Sequence, residues 1–131
     1  MNPSELLIGI VDDEASVRKA LVRFFTAASF NALAFQSARE FLRSIDNYPF
    51  DCLVLDLQMP EMTGLDLQRF LRMVRPDLPL PVIIITAHDE PGLRERCLEA
   101  GVGAYLRKPV EGDTLLTTVE KLVGSPRVDP T

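Results

Sequence analysis

The stretch Leu6-Leu7-Ile8-Gly9-Ile10-Val11-Asp12-Asp13-Glu14 runs six apolar or small residues straight into three carboxylates. A short, unbroken apolar run without polar alternation is what a strand buried on both faces of a parallel sheet requires. The figure recurs along the chain. Cys52 to Leu55 runs into Asp56, Val82 to Ile85 into Thr86, and Ala104 to Leu106 is followed two residues later by Lys108. With the weaker run Ala32 to Phe35 this makes five strands, of which the second and fifth have the least apolar character and so belong nearer the edges. In an open parallel sheet the carboxyl ends of the strands form the crevice where ligands bind. Asp12, Asp13, Asp56, Thr86 and Lys108 are therefore expected to converge on one site.

The segments between the strands have helical period. Their apolar stripes are Val17, Leu21, Phe24, Phe25 and Ala28, then Ala38, Phe41, Leu42 and Ile45, then Leu67, Phe70, Leu71 and Val74. A fourth helix from about Pro91 to Ala100 has only Leu93, Cys97 and Leu98, and a fifth has Leu115, Val119, Leu122 and Val123. A thin stripe predicts a loosely held fourth helix, the place for a movable element. Ser37 with Glu40 three residues on reads as an N-cap, Pro91 suits a first helical turn, and Gly101 and Gly124 suit C-terminal caps. Alternating strands and helices of this kind predict a three-layer α/β domain with a five-stranded parallel sheet.

The chain has 131 residues, 47% of them hydrophobic, which suits one domain with a full core. Residues 1–124 form that domain, and the proline-containing 125–131 has the composition of a tail or the start of a linker. A net charge of -5 and a pI near 4.8 argue against direct nucleic-acid binding, which needs clustered cations. Cys52 and Cys97 match no metal or disulfide pattern and read as buried, reduced thiols. The longest mainly apolar stretch, Leu78 to Ala87, is too short to span a bilayer, and no signal segment is visible, so a soluble cytoplasmic protein is expected.

Crowded carboxylates repel each other unless a cation sits among them. Mg²⁺, a hard ion with oxygen ligands, suits such a group. A carboxylate bound to it, beside a lysine ammonium, can attack phosphorus and form an aspartyl phosphate, with a threonine hydroxyl donating to a phosphoryl oxygen. Each residue also has a plainer reading. Asp12 or Asp13 could cap the first helix, Asp56 could belong to the turn before Pro60, Thr86 could be a loop residue, and Lys108 a solvated charge. Five such residues at successive strand ends favour the site over the separate readings.

The stretches Val11-Asp12-Asp13-Glu14, Asp56-Leu57-Gln58-Met59-Pro60-Glu61-Met62-Thr63-Gly64-Leu65, Ile85-Thr86-Ala87 and Lys108-Pro109 resemble the receiver domain of bacterial two-component response regulators, most of all the FixJ-type subfamily. The likeness runs from about Leu6 to Val123. It implies a flavodoxin-like, CheY-like (βα)5 fold in which Asp56 accepts a phosphoryl group from a phosphohistidine on a sensor histidine kinase. It further implies that Asp13, Asp56 and the backbone carbonyl of Gln58 ligate Mg²⁺, with Asp12 acting mostly through water. Thr86 and Lys108 would hold phosphoryl oxygens, and the Lys108-Pro109 bond would be cis. Tyr105 matches the aromatic that turns inward as the threonine moves; otherwise it is an edge-strand aromatic with a wet hydroxyl. Gln58 and His88 stand where side chains tune the phosphoryl lifetime, although a lone histidine in a polar loop is usually just exposed.

The output face implied is helix four, strand five and helix five, controlling a C-terminal helix-turn-helix effector, with a possible phosphorylation-dependent homodimer using Arg94, Arg96, Arg107 and Asp113. A stand-alone phosphorelay adaptor is the nearest alternative. A haloacid dehalogenase-type phosphohydrolase would carry an aspartate two residues after the nucleophile, where this chain has Gln58. A flavodoxin-like cofactor binder would need a Ser, Thr and Gly-rich loop after the first strand, which is missing. The chain is thus expected to be a signalling phosphoacceptor rather than an enzyme acting on external substrates.

Overall fold

The computed structural model describes residues 5–87 and 90–124. His88 and the 125–131 segment lie outside the described residues. Five strands and five helices alternate as β1 Leu7–Val11, α1 Ala15–Ala27, β2 Asn31–Phe35, α2 Ala38–Ser44, β3 Cys52–Asp56, α3 Gly64–Val74, β4 Val82–Thr86, α4 Leu93–Glu99, β5 Ala104–Arg107 and α5 Gly112–Val123. All pairs are parallel and the strand order is β2-β1-β3-β4-β5. The two strands with the weakest apolar runs are the edges, as expected. Every residue of β1, β3 and β4 is buried, whereas β2 and β5 are mostly half-exposed.

Each sheet face has its own core. On one side Ile8, Ile10, Val54, Ile83 and Ile85 meet Phe25 of α1 and Leu115 and Val119 of α5. On the other, Leu53, Leu55, Val82 and Ile84 meet Phe41 of α2, Leu67 and Leu71 of α3, and Leu93 and Cys97 of α4. Complete burial of side chains this size stabilises by about 1.5–3 kcal/mol each. None of the described helices is long and apolar enough to cross a membrane.

Local signals worked unevenly. Ser37 caps α2, its side chain accepting from the Glu40 N–H at 3.1 Å. Gly101 and Gly124 take the left-handed φ values of 95° and 93° that helix ends favour in glycine. Helix α4 starts at Leu93 rather than Pro91, because Gly92, at φ 80°, is its N-cap. Two stripe assignments fail. Leu98 is exposed since it lies about 100° around α4 from the buried Leu93 and Cys97 line, and Val74 is exposed because the last residue of α3 has no cover. Both cysteines are free and buried, and burial pushes the Cys52 thiol up to about 12.

Candidate functional site

Register brings the polar residues together. Val11 pairs with Leu55, which sets Asp12, one residue on, beside Asp56. Asp56 pairs with Ile85, so Thr86 stands one step beyond it, and Thr86 pairs with Arg107, which leaves Lys108 just past the end of β5. Asp56 and Thr86 are the last residues of their strands rather than the first after them, and both are buried. The order changes direction between β1 and β3, the topological switch point where open α/β sheets bind ligands.

Ligand oxygens of Asp12, Asp13 and Asp56 lie within 4.8 Å of one another. Asp12 is wholly buried; its Oδ1 accepts from the Glu14 N–H at 2.9 Å and its Oδ2 from Lys108 Nζ at 3.0 Å. The capping reading of the first two aspartates is not what the fold uses, because the N-cap of α1 is Glu14. Lys108 Nζ is 3.7 Å from Asp56 Oδ1, so one ammonium serves two carboxylates and is closer to Asp12. Asp13 stays exposed at the mouth. Gln58 is exposed, and its backbone N–H donates to Asp56 Oδ1 at 3.3 Å.

The electrostatics follow from this crowding. Burial, and then the Asp12 and Asp13 charges, push the Asp56 carboxyl up to about 6 against the opposing pull of Lys108 and the Gln58 N–H. Burial alone would lower the Lys108 pKa, but its hydrogen bond to Asp12 and the charges of Asp56, Asp12 and Glu14 raise it above the usual lysine range. Three carboxylates facing one ammonium leave excess negative charge among oxygen donors only. That donor set fits a hard divalent cation such as Mg²⁺.

Several residues beyond the polar cluster support the site. Arg18 donates to the Asp12 carbonyl at 2.8 Å. Gly64 must be glycine, because a Cβ there would stand 2.5 Å from the Asp56 carbonyl oxygen; this close approach lets α3 begin against the end of β3. Thr63 and Asp66 form a reciprocal capping box at that helix start, visible in the sequence as a Thr-x-x-Asp spacing. Glu61 takes a left-handed φ of 68° in the preceding loop. An apolar groove of about 600 Å³ opens beside Lys108 between Val17, Ala20 and Leu21 of α1 and Pro109 and Val110. The Lys108-Pro109 bond is cis, as the motif resemblance implies.

Tyr105 pairs with Ile84, two residues before Thr86 on β4. Side chains two apart share a face, so Thr86 and Tyr105 lie on the face toward α3 and α4. The tyrosine is half-buried there against the core.

A family model described as the response regulator receiver domain matches residues 8–120. The chain belongs to that family. As a receiver domain of two-component response regulators it is a signalling module rather than a classical enzyme. It is 33% identical over 116 residues to nodulation protein W of Bradyrhizobium diazoefficiens, covering 88% of this chain and 50% of that protein. It is 31% identical to the transcriptional regulatory protein FixJ of the same organism, covering 88% and 56%. The receiver thus spans about half the length of these curated relatives. Among solved structures, FixJ-N superposes with a TM-score of 0.82 at 32% identity, covering 94% of this chain and 95% of that one. Vibrio cholerae CheY4 also superposes at 0.82, at 26% identity, covering 89% and 98%. The FixJ-type character and CheY-like fold expected from the motifs are both borne out.

Proposed function

We propose that this receiver accepts a phosphoryl group on Asp56 from the phosphohistidine of a sensor histidine kinase and thereby controls a helix-turn-helix transcriptional effector. The observation that carries the reading is the Asp12, Asp13 and Asp56 cluster, its ligand oxygens within 4.8 Å of one another, with the Lys108 ammonium 3.0 and 3.7 Å from two of its members. Asp13, Asp56 and the Gln58 carbonyl would hold Mg²⁺, with Asp12 acting through water. Bound there, the ion supplies the positive charge that lets a phosphoryl group approach three carboxylates.

A carboxylate oxygen of Asp56 attacks phosphorus, the phosphorus–nitrogen bond to the imidazole breaks, and the electron pair leaves with the histidine. Lys108 offsets the charge of the transferred group, and Thr86 donates its hydroxyl to a phosphoryl oxygen. Transfer to water later restores Asp56, at a rate that Gln58 and His88 tune. The phosphoryl group adds about -1.5 to -2 charge and draws Thr86 toward it. Tyr105, on the same face of the neighbouring strand, turns into the space behind the threonine and resets the face made by α4, β5 and α5. That face serves the effector or a second receiver. The transcriptional assignment draws support from the name and likeness of FixJ.

The test is intact mass after incubation with acetyl phosphate and Mg²⁺. One added phosphoryl group is expected, absent with EDTA and absent in Asp56→Asn. Failure to gain mass, together with no change near Thr86 on adding beryllofluoride, rejects the phosphoacceptor assignment. Identical association with and without donor in wild type and Tyr105→Ala removes the tyrosine from the switch.

A further inference from the structure

On the far side of α3 from its capped start, the receiver carries a second organised surface. Arg69 and Arg72 of α3 and Arg96 of α4, with Met73, Glu99 and Ala100, line a groove of about 520 Å³ between the two helices. Arg96 therefore lies against α3, not alongside Arg94 on the other flank of α4. Three arginines line one groove in a chain whose net charge is -5. None of the three forms an ion pair among the described residues, although Arg75, one turn on from Arg72, is paired with both Asp46 and Asp77. Met73 is 74% exposed at the groove's side.

The two walls are tied to each other. The buried Gln68 side chain donates from Nε2 to the Ala100 carbonyl at 3.0 Å, joining α3 to the end of α4. The Arg72 guanidinium packs over Gly101, where a Cβ would collide with it. Arginines beside an apolar side chain suit planar carboxylates, which they bind in bidentate fashion, on a segment that also offers an apolar contact.

We propose that the α3–α4 groove docks an acidic, amphipathic helical segment of a partner protein. Charge complementarity selects this occupant. A nucleic-acid backbone needs a longer track of cations than three arginines interrupted by Glu99.

The test uses the full 131-residue chain and a fluorescein-labelled fourteen-residue helical peptide with glutamates and leucines at i, i+3 and i+4 spacing, followed by anisotropy and ¹⁵N shift mapping. Binding in low salt is expected, with shifts at Arg69, Met73, Arg96 and Ala100. It should weaken about tenfold or more in Arg69→Glu/Arg96→Glu, or when salt is raised several-fold, since exposed charge contacts are screened. The milder Arg69→Gln/Arg96→Gln variant guards against misfolding and should give an intermediate loss. A peptide with glutamine for glutamate should bind as weakly as the double variant, and Lys19→Glu/Arg23→Glu, which reverses cations on α1, should leave binding unchanged. No binding, equal loss in the α1 variant, or preference for a DNA duplex over the acidic peptide overturns the proposal. Phosphoryl uptake at Asp56 should persist in the arginine variants, so failure here is separable from failure of the phosphoacceptor reading.

Discussion

Strand β3 carries an aspartate at each end, and the two carboxylates do opposite work. Asp51, just before the strand, accepts the Leu7 N–H at 2.7 Å on its Oδ2 and so satisfies the backbone where β1 begins. Asp56, at the other end, is 4% exposed, accepts among the described backbone groups only the Gln58 N–H, at 3.3 Å, and shares one lysine with Asp12. One aspartate joins two strands, whereas the other is held where its charge is poorly compensated. Five residues of separation make this a difference of surroundings, not of residue type. The lesson is that destabilising electrostatics concentrated at one end of a sheet mark the end that reacts.

The sharpest way to break this contrast is Asp56→Asn. A carboxyl raised from the ordinary value near 4 to about 6 disfavours its ionised form by up to about 3 kcal/mol at neutral pH. In EDTA, Asp56→Asn should therefore be more stable than wild type by about 1–3 kcal/mol in urea unfolding at pH 7. The pH dependence has a definite sign. Between about pH 4 and 6 the folded chain keeps a proton on Asp56 that the unfolded chain has released, so wild-type stability should fall as pH rises through that window. Mg²⁺ should shrink or reverse the difference, because an ion bound only by the native site adds about 2.7 kcal/mol at a hundred times its Kd. A variant no more stable than wild type in EDTA would show that Asp56 is not electrostatically frustrated.

Next in size is Gly64→Ala, which tests whether the reactive end is also sterically tight. Its Cβ meets backbone at 2.5 Å, and backbone cannot step aside as a flexible side chain can. A loss of about 1–3 kcal/mol is expected, with slower phosphoryl uptake because the carbonyl that must shift belongs to Asp56. Full uptake with unchanged stability would mean that α3 can start elsewhere.

The sequence made much of this legible, and where it did not the reasons are geometric. Runs such as Val82 to Ile85 suggest buried strands because a sheet covered on both faces takes β-branched apolar residues in succession over a length too short for a helix. The polar residues that end them could be placed in one crevice because parallel register aligns strand ends. Asp51 drew no notice, since a carboxylate before a strand looks like loop polarity until Leu7 is seen beside it. Gln68 escaped for a similar reason, being a polar residue on an apolar face whose partner, the Ala100 carbonyl, is 32 residues away. Leu98 was counted inward because a seven-residue helix has too few turns to define its stripe. Arg96 was grouped with Arg94 by proximity in sequence, whereas two residues along a helix turn a side chain by about 200°.

The smallest effect sharpens the comparison most, because it repeats the Asp56 substitution at the other end of β3. Asp51→Asn keeps an oxygen that can accept the Leu7 N–H, losing only the extra strength of a charged acceptor, so a cost under about 1 kcal/mol is expected. Asp51→Ala leaves that N–H without its acceptor and should cost about 1–3 kcal/mol. Neither change should alter the fall in stability between about pH 4 and 6, which belongs to Asp56. Urea unfolding of both variants in EDTA across that range measures both quantities. A gain in stability from Asp51→Asn, or loss of the pH slope, would place frustration at both ends of the strand and end the distinction between a structural and a reactive aspartate. Equal costs for the asparagine and alanine variants would mean that Leu7 finds another acceptor and that Asp51 does not join the strands.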